Sequence, residues 1–451
     1  MTGINAVALS EAGRACLAIV ALCLILWVTE AIPIAVTSLA VFLLMPALGV
    51  ADLTKTIESG LGNPLILFFL SLFLISAAFE KVGLGRRVSD RILALSNGNN
   101  SLLIMLMLGA GTVLSMLAGN LAATTVLLGT AQQILQATGH STHRTNFGRR
   151  LMLSTSWGPL IGSIGTPLGA GSNILTMVYL ETLVGQKMTF LGWMALGVPL
   201  ALLILPLAWL ILIKTFPDEE KTVLAPRLAV KPAPLSHNER VFLVIFCATL
   251  FLWIFGPSLD QLTGGRLSLL SLPFVGLAAA FSLFLPGVDL LTWSEAEHAI
   301  HIRILLSVAG GLAAGVLLSE SGAARWLATF LLQMTPASSP IGIIFLMLAA
   351  IFFLRLLFTT TTAAATVSIP LVIAVAQNLG MDPWLLTMAS SFAINLTFML
   401  PMQAAVHMMA YSAGHYSSTD MARSGVWLSL AAIILIGLIA AALVVTGCKP
   451  F

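Results

Sequence analysis

The sequence predicts an all-α polytopic membrane protein made of two related halves, each with interrupted helices. Three observations predict it. Of the 451 residues, 58% are hydrophobic and 9% charged, against roughly 25% charged in a typical soluble protein, which excludes a soluble enzyme. Long apolar runs recur along the chain. Short segments broken by glycine, proline or clustered hydroxyls recur in the same order in both halves.

The apolar runs include Ala15 to Trp27, Leu200 to Ile213, Val241 to Phe255 and Ala431 to Thr446. Each reads as part of a bilayer-spanning helix of about 20 residues, and the chain length allows roughly ten to twelve crossings. Met1 to Arg14 lacks a basic start followed by a cleavable apolar stretch, so the first run reads as a retained span. Basic residues mark cytoplasmic ends by the positive-inside tendency: Arg86, Arg87 and Arg91; Arg144, Arg149 and Arg150; then Lys214, Lys221, Arg227, Lys231 and Arg240. The net charge of +3 is spread over short loops, which points to no nucleic-acid partner. Cys16, Cys23, Cys247 and Cys448 lack metal-ligand spacing and read as small core residues.

The stretch 214–240 is charged and proline-rich and reads as a polar central linker. It divides a first transmembrane repeat, 1–213, from a second, 241–451. Three ordered matches support duplication. Gly322 and Arg325 follow Gly83 and Arg86 by 239 positions; Thr360 follows Gly119 by 241; Pro401 follows Pro167 by 234.

The second and third matches are apolar stretches with breaks. Irregular backbone at membrane depth is tolerated where it faces protein or a watery cavity, and paired breaks in two halves point to a transporter's binding site. The first break, Ser115-Met-Leu-Ala-Gly119-Asn120, offers a hydroxyl, a flexible backbone point and an amide, oxygens that suit a small hard cation. Close helix packing at Gly119 is the alternative. The second, Thr359 to Thr362, sets four hydroxyls in an otherwise apolar run. The third and fourth are Thr166-Pro-Leu-Gly169-Ala-Gly171-Ser172-Asn173 and Pro401-Met-Gln403-Ala-Ala-Val-His407. Unwound backbone there exposes amides that attract anions. Gln403 and His407 lie four apart and would share a helical face; His407 reads as a proton-sensitive ligand or as a satisfied structural group.

Arg355 stands in an apolar run where a cation is costly. It would favour an anion in the cavity or snorkel to a membrane surface. Glu30 and Glu80 raise the same question. No Walker-type loop, serine-nucleophile motif or zinc-protease motif is present, which argues against ATP drive in cis and against an enzyme.

Taken together, Trp27 to Val50 (WVTEAIPIAVTSLAVFLLMPALGV) and Leu283 to Ala328 (LFLPGVDLLTWSEAEHAIHIRILLSVAGGLAAGVLLSESGAARWLA) resemble the divalent anion/sodium symporter family, the sodium-coupled dicarboxylate, citrate and sulfate transporters. The resemblance covers nearly the whole chain. That family carries a Ser-Asn-Thr motif in each half, followed in each by a Gly-Thr/Ser-Pro-Pro-Asn type motif. The resemblance implies a Na⁺ held by each pair of motifs and a substrate carboxylate touched by the Asn-Thr side chains between them.

Carried onto this chain, the first Ser-Asn-Thr falls on Gly119, Asn120 and Leu121, with Ser115 one turn earlier and Gly169 supplying a later carbonyl. The second falls on Thr360, Thr361 and Thr362, and its follower on Gln403, Ala404 and Ala405, with His407 where the family has asparagine. The resemblance thus implies substrate contacts at Asn120, Ala170, Asn173, Thr361, Thr362, Gln403, Ala404 and His407. It implies Na⁺ contacts at Ser115, Gly119, Asn120, Gly169, Thr359, Thr361 and Gln403. Leu121, Ala170 and Thr361 depart from the family, so the first Na⁺ site rests on matching groups while the second would need threonine hydroxyls or Gln403, or be absent.

The resemblance further implies two inverted repeats with re-entrant hairpins. These would form a scaffold and a moving transport part, working as an elevator in a homodimer, in a cell membrane of the bacterial inner-membrane kind. The expected activity is Na⁺-coupled symport of a small anion, a di- or tricarboxylate or sulfate-like ion. A proton-coupled carrier or anion exchanger is the alternative, and a channel or sensor a more distant one.

Overall fold

A computed structural model describes residues 9–29, 31–138, 145–217, 234–263, 270–333 and 339–446. Glu30, Arg144, Lys221, Arg227, Lys231 and Cys448 lie outside the described residues. The first ten α-helices are α1 (Glu11–Thr29), α2 (Ile34–Ala47), α3 (Leu53–Ser59), α4 (Pro64–Val82), α5 (Leu84–Ser96), α6 (Asn100–Ala118), α7 (Asn120–Ala137), α8 (Asn146–Ser163), α9 (Gly171–Tyr179) and α10 (Phe190–Thr215). The next ten are α11 (His237–Leu262), α12 (Leu272–Ser282), α13 (Trp293–Ala299), α14 (Ile302–Glu320), α15 (Ala323–Gln333), α16 (Pro340–Leu354), α17 (Thr361–Asn378), α18 (Pro383–Asn395), α19 (Ala405–Ser412) and α20 (Ser418–Thr446). Every regular element among the described residues is helical.

The boundaries follow from local chemistry. Polar side chains satisfy the free amides at helix starts: Asn99 accepts from Leu102 N at 3.0 Å, Thr145 from Gly148 N at 3.0 Å and Thr189 from Gly192 N at 2.9 Å. Ser236 and Thr292 form reciprocal capping boxes with Glu239 and Glu295. Gly83 (φ 79°) turns the chain from α4 into α5, and Gly322 (φ 76°) turns it from α14 into α15, a left-handed conformation that glycine adopts without strain.

The element order of α1–α10 recurs as α11–α20, and the packing repeats with it. α4 packs on α12 as α14 packs on α2; α9 packs on α17 and α18 as α19 packs on α7 and α8; α10 and α20 meet each other. Two ion pairs obey the same relation, Lys55 of α3 with Glu320 of α14 at 2.8 Å and Lys81 of α4 with Glu295 of α13 at 2.6 Å. Both are exposed pairs, which contribute little stability.

Among the described residues, seven helices are long and apolar enough to cross a membrane: α4, α6, α10, α11, α14, α17 and α20. α2, α12 and α16 are apolar but shorter, and the segments around α8–α9 and α18–α19 are broken. Large apolar side chains on the outer faces, such as Leu43, Val244, Phe281 and Val445, are exposed, as hydrocarbon-facing residues must be. Cys16 and Cys23 are buried, whereas Cys247 is exposed, correcting its expected place in the core. α10 runs through Lys214 and α11 contains Arg240, so both ends of the 214–240 stretch are helical.

The basic segments gather. Arg87 pairs with Glu239 and donates to Pro234 O at 2.8 Å. Arg149 pairs with Asp420 at 3.3 Å, and Asn146 donates to Pro217 O at 3.0 Å. The starts of α5 and α11 therefore lie together, and the starts of α8 and α20 lie beside the close of α10. Glu80 is exposed near the end of α4.

Candidate functional site

Four breaks organise the interior. α6 stops at Gly119, whose φ of 83° and ψ of 161° is open to glycine, and α7 restarts at Asn120. α8 ends at Ser163, the chain makes a single turn over Pro167–Gly169, and α9 starts at Gly171. In the second half α16 ends before Arg355 and α17 restarts at Thr361. α18 ends at Asn395, a turn forms over Pro401–Gln403, and α19 starts at Ala405. Ala170 (φ −152°, ψ 148°) and Ala404 (φ −150°, ψ 144°) occupy matching extended positions before α9 and α19.

The breaks touch across the halves. A Cβ added to Gly119 would lie 3.5 Å from Leu168 O, and one added to Gly171 would lie 3.4 Å from Thr362 Oγ1. The Pro167–Gly171 turn thus lies between the start of α7 on one side and the start of α17 on the other. The starts of α7, α9 and α19 carry no side-chain cap, so their free amides remain for a ligand. Thr360 caps α17 by accepting from Ala363 N at 3.2 Å.

The structure separates polar groups that are free from those already spent. Ser115 Oγ and Gln403 Nε2 are buried with no hydrogen-bond partner among the described residues. The carboxamide of Asn120 and the hydroxyls of Thr361 and Thr362 are half-buried and bond to no described residue. The sequence names these five residues among its candidate contacts. Thr359 is half-buried beside them. Gly169 is fixed by space: a Cβ there would lie 2.6 Å from Ser163 Cα.

Two expected substrate contacts are spent instead on holding the breaks. Asn173 donates to Ser163 O at 2.6 Å and Thr166 O at 2.9 Å, and accepts from Asn395 Nδ2 at 2.9 Å. His407, 234 positions later, has Nε2 3.0 Å from Thr397 O and Nδ1 3.0 Å from Ser156 Oγ. A carbonyl can only accept, so Nε2 carries the proton. Ser163 and Thr397 are themselves 234 apart, so the carboxamide and the imidazole do the same work in the two halves. Gln403 does not share a helical face with His407: it ends the turn, with Oε1 accepting from Met399 N at 3.1 Å and Leu400 N at 2.9 Å. That oxygen is therefore not a free cation ligand, although Nε2 remains a free donor.

Arg355 does not snorkel. It is fully buried and donates to Ile394 O at 2.9 Å, Phe358 O at 3.0 Å, Thr360 O at 3.3 Å, Thr397 Oγ1 at 3.2 Å and Gln403 O at 2.5 Å. Asn395 was missed from the sequence. Its Oδ1 accepts from Ser172 Oγ at 2.7 Å, and Ser391 Oγ meets Thr176 Oγ1 at 2.9 Å, making a buried polar seam between the halves. The spacing of Ser391 and Asn395, four apart in an apolar helix, was the available signal. Asn395→Ala leaves Ser172 Oγ and Asn173 Oδ1 without their partner in a dry interior and is expected to cost roughly 3 kcal/mol. The melting midpoint of solubilised protein would drop by several degrees; an unchanged midpoint would remove this seam from the supports of the fold.

A cavity of about 30 Å³ lies elsewhere, among Leu196, Leu200, Met388, Phe392 and Ile436 of α10, α18 and α20. Its apolar lining offers nothing to an anion. Among the described residues no three His, Cys, Asp or Glu side chains come together, so a cation at the breaks would be held by neutral oxygens.

The family profile described as "Sodium:sulfate symporter transmembrane region" matches residues 5–445. The chain belongs to this family. It is a multi-pass bacterial membrane transporter and not an enzyme. The "Sodium-dependent dicarboxylate transporter SdcS" of Staphylococcus saprophyticus is 28% identical over 96% of this symporter-family chain and 86% of its own length. The protein of the same name from Staphylococcus aureus is 27% identical over 92% and 82%. Among solved structures, the YdaH transporter of Alcanivorax borkumensis superposes with a TM-score of 0.57 at 14% identity, covering 87% of this chain and 88% of that one; this is a likeness of fold alone.

Proposed function

We propose that the chain is a secondary transporter that couples inward Na⁺ to uptake of a small anion, a di- or tricarboxylate or sulfate-like ion. The observation that carries this reading is the set of unpartnered groups at the breaks: Ser115, Asn120, Thr361, Thr362 and Gln403 Nε2. Na⁺ would take Ser115 Oγ, the Asn120 carboxamide oxygen and backbone carbonyls near Gly119 and Gly169, oxygen ligands that neutralise charge without a carboxylate. The anion would take the hydroxyls of Thr361 and Thr362, the Gln403 amide and the uncapped amides beside Ala170 and Ala404, which favour negative charge through the helix dipole. Sodium-dependent relatives support the cation.

Transport by an elevator displacement within a homodimer completes the proposal, on the strength of the family likeness. Uptake of radiolabelled succinate, citrate and sulfate into proteoliposomes is expected to require an inward Na⁺ gradient. Uptake indifferent to Na⁺ would overturn the reading. Anion exchange on the same scaffold is the second reading, favoured by Arg355, a fixed positive charge beside the anion's place. Counterflow sustained without Na⁺ would establish exchange, and absence of any counterflow would point to a passive pore.

A further inference from the structure

We propose that the Arg355 guanidinium is a resident cation, filling in the second half the place between the two breaks that a Na⁺ ion takes in the first. The chain would then hold one exchangeable Na⁺ at these breaks. This inference rests on the Na⁺-coupled reading and sharpens its stoichiometry.

Arg355 has five N–H groups, and the structure gives each an oxygen: four backbone carbonyls, of Ile394, Phe358, Thr360 and Gln403, and the Thr397 hydroxyl. These oxygens come from three separate segments, the break before α17, the end of α18 and the turn before α19. Converging carbonyls freed at broken helices are what a dehydrated cation requires. Arg355 makes no ion pair among the described residues, so its charge is not cancelled by a carboxylate and remains to attract an anion.

The repeat identifies the place. Thr360 and Gln403 correspond to Gly119 and Gly169, at separations of 241 and 234. The residue corresponding to Arg355 at the 241 separation is Leu114, an apolar side chain. Next to it Ser115 Oγ is buried without a partner. One half thus presents free oxygen and no built-in charge, and the other presents a built-in charge whose surrounding oxygens are all engaged.

The test uses Na⁺ alone as the probe. Purified full-length protein in detergent is melted across a NaCl series with choline chloride holding ionic strength constant, because an ion that binds the folded state raises its stability according to the number bound. Wild type is expected to follow a single-ion curve. Arg355→Ser leaves five oxygens around a vacated volume and is expected to gain a second Na⁺, with a steeper dependence that Arg355→Lys does not show. A two-ion dependence in wild type, or an Arg355→Ser curve no steeper than wild type, overturns the inference and leaves Na⁺ coupling standing. Should Arg355→Ser fail to fold, the ion number of wild type decides. A wild-type melt indifferent to Na⁺ instead defeats the Na⁺-coupled reading, and this inference with it.

Discussion

Asn120→Ala is expected to cut anion uptake by about one to two orders of magnitude, because it removes a carboxamide oxygen that would ligate the coupled Na⁺, a loss comparable to that of a polar contact to a charged group, roughly 1.5–3 kcal/mol. The carboxamide stands at the first residue of α7, beside the glycine break, half-buried and bonded to no described residue. Removing it strands no partner within the protein, so the variant should elute and melt as wild type does. Thr361→Val removes a hydroxyl of nearly the same shape from the start of α17 and should weaken anion affinity with little effect on Na⁺-dependent melting. Uptake by Asn120→Ala at the wild-type rate would exclude this residue from the site.

Gly162→Val should prevent folding. α6 and α8 approach so closely that a Cβ on Gly162 would lie 2.6 Å from Thr112 Cα, and one on Gly158 would lie 2.6 Å from Leu108 O. Thr112 Oγ1 also donates to Gly158 O at 3.1 Å across the same contact. Neither neighbour is the end of a flexible side chain, so the helices themselves must separate, at a cost of about 3 kcal/mol or more. The expected readout is loss of the monodisperse peak in detergent gel filtration. Gly109 of α6 is the control: a Cβ there meets nothing within 4 Å, so Gly109→Ala should be tolerated. Monodisperse Gly162→Val would mean that the two helices do not need this approach.

Much of this was legible locally. Hydrophobic length marks helices that lie in a bilayer. Glycine at 119, the prolines at 167 and 401 and the threonines from 359 each interrupt a helix near where the structure interrupts one, because these residues either cannot continue a helix or compete with its hydrogen bonds. Ser115, Asn120, Thr361 and Thr362 read from the sequence as candidate ligand groups at the breaks, and their side chains bond to no described residue.

The use of the remaining polar groups was decided elsewhere. Asn173 matches a substrate-binding asparagine in sequence, yet its partners include Asn395, 222 positions away. His407 is turned toward Ser156, 251 positions away. Arg355 reads equally well as snorkelling or buried until α18 and the Pro401–Gln403 turn bring their carbonyls to it. Sequence alone determined that this chain is a membrane protein and where its helices break, since apolar length and backbone interruption are properties of neighbouring residues. Only the tertiary structure decided which polar side chains hold those breaks and which bond to no described residue, because a hydrogen bond in a dry interior depends on a partner that only folding brings within reach.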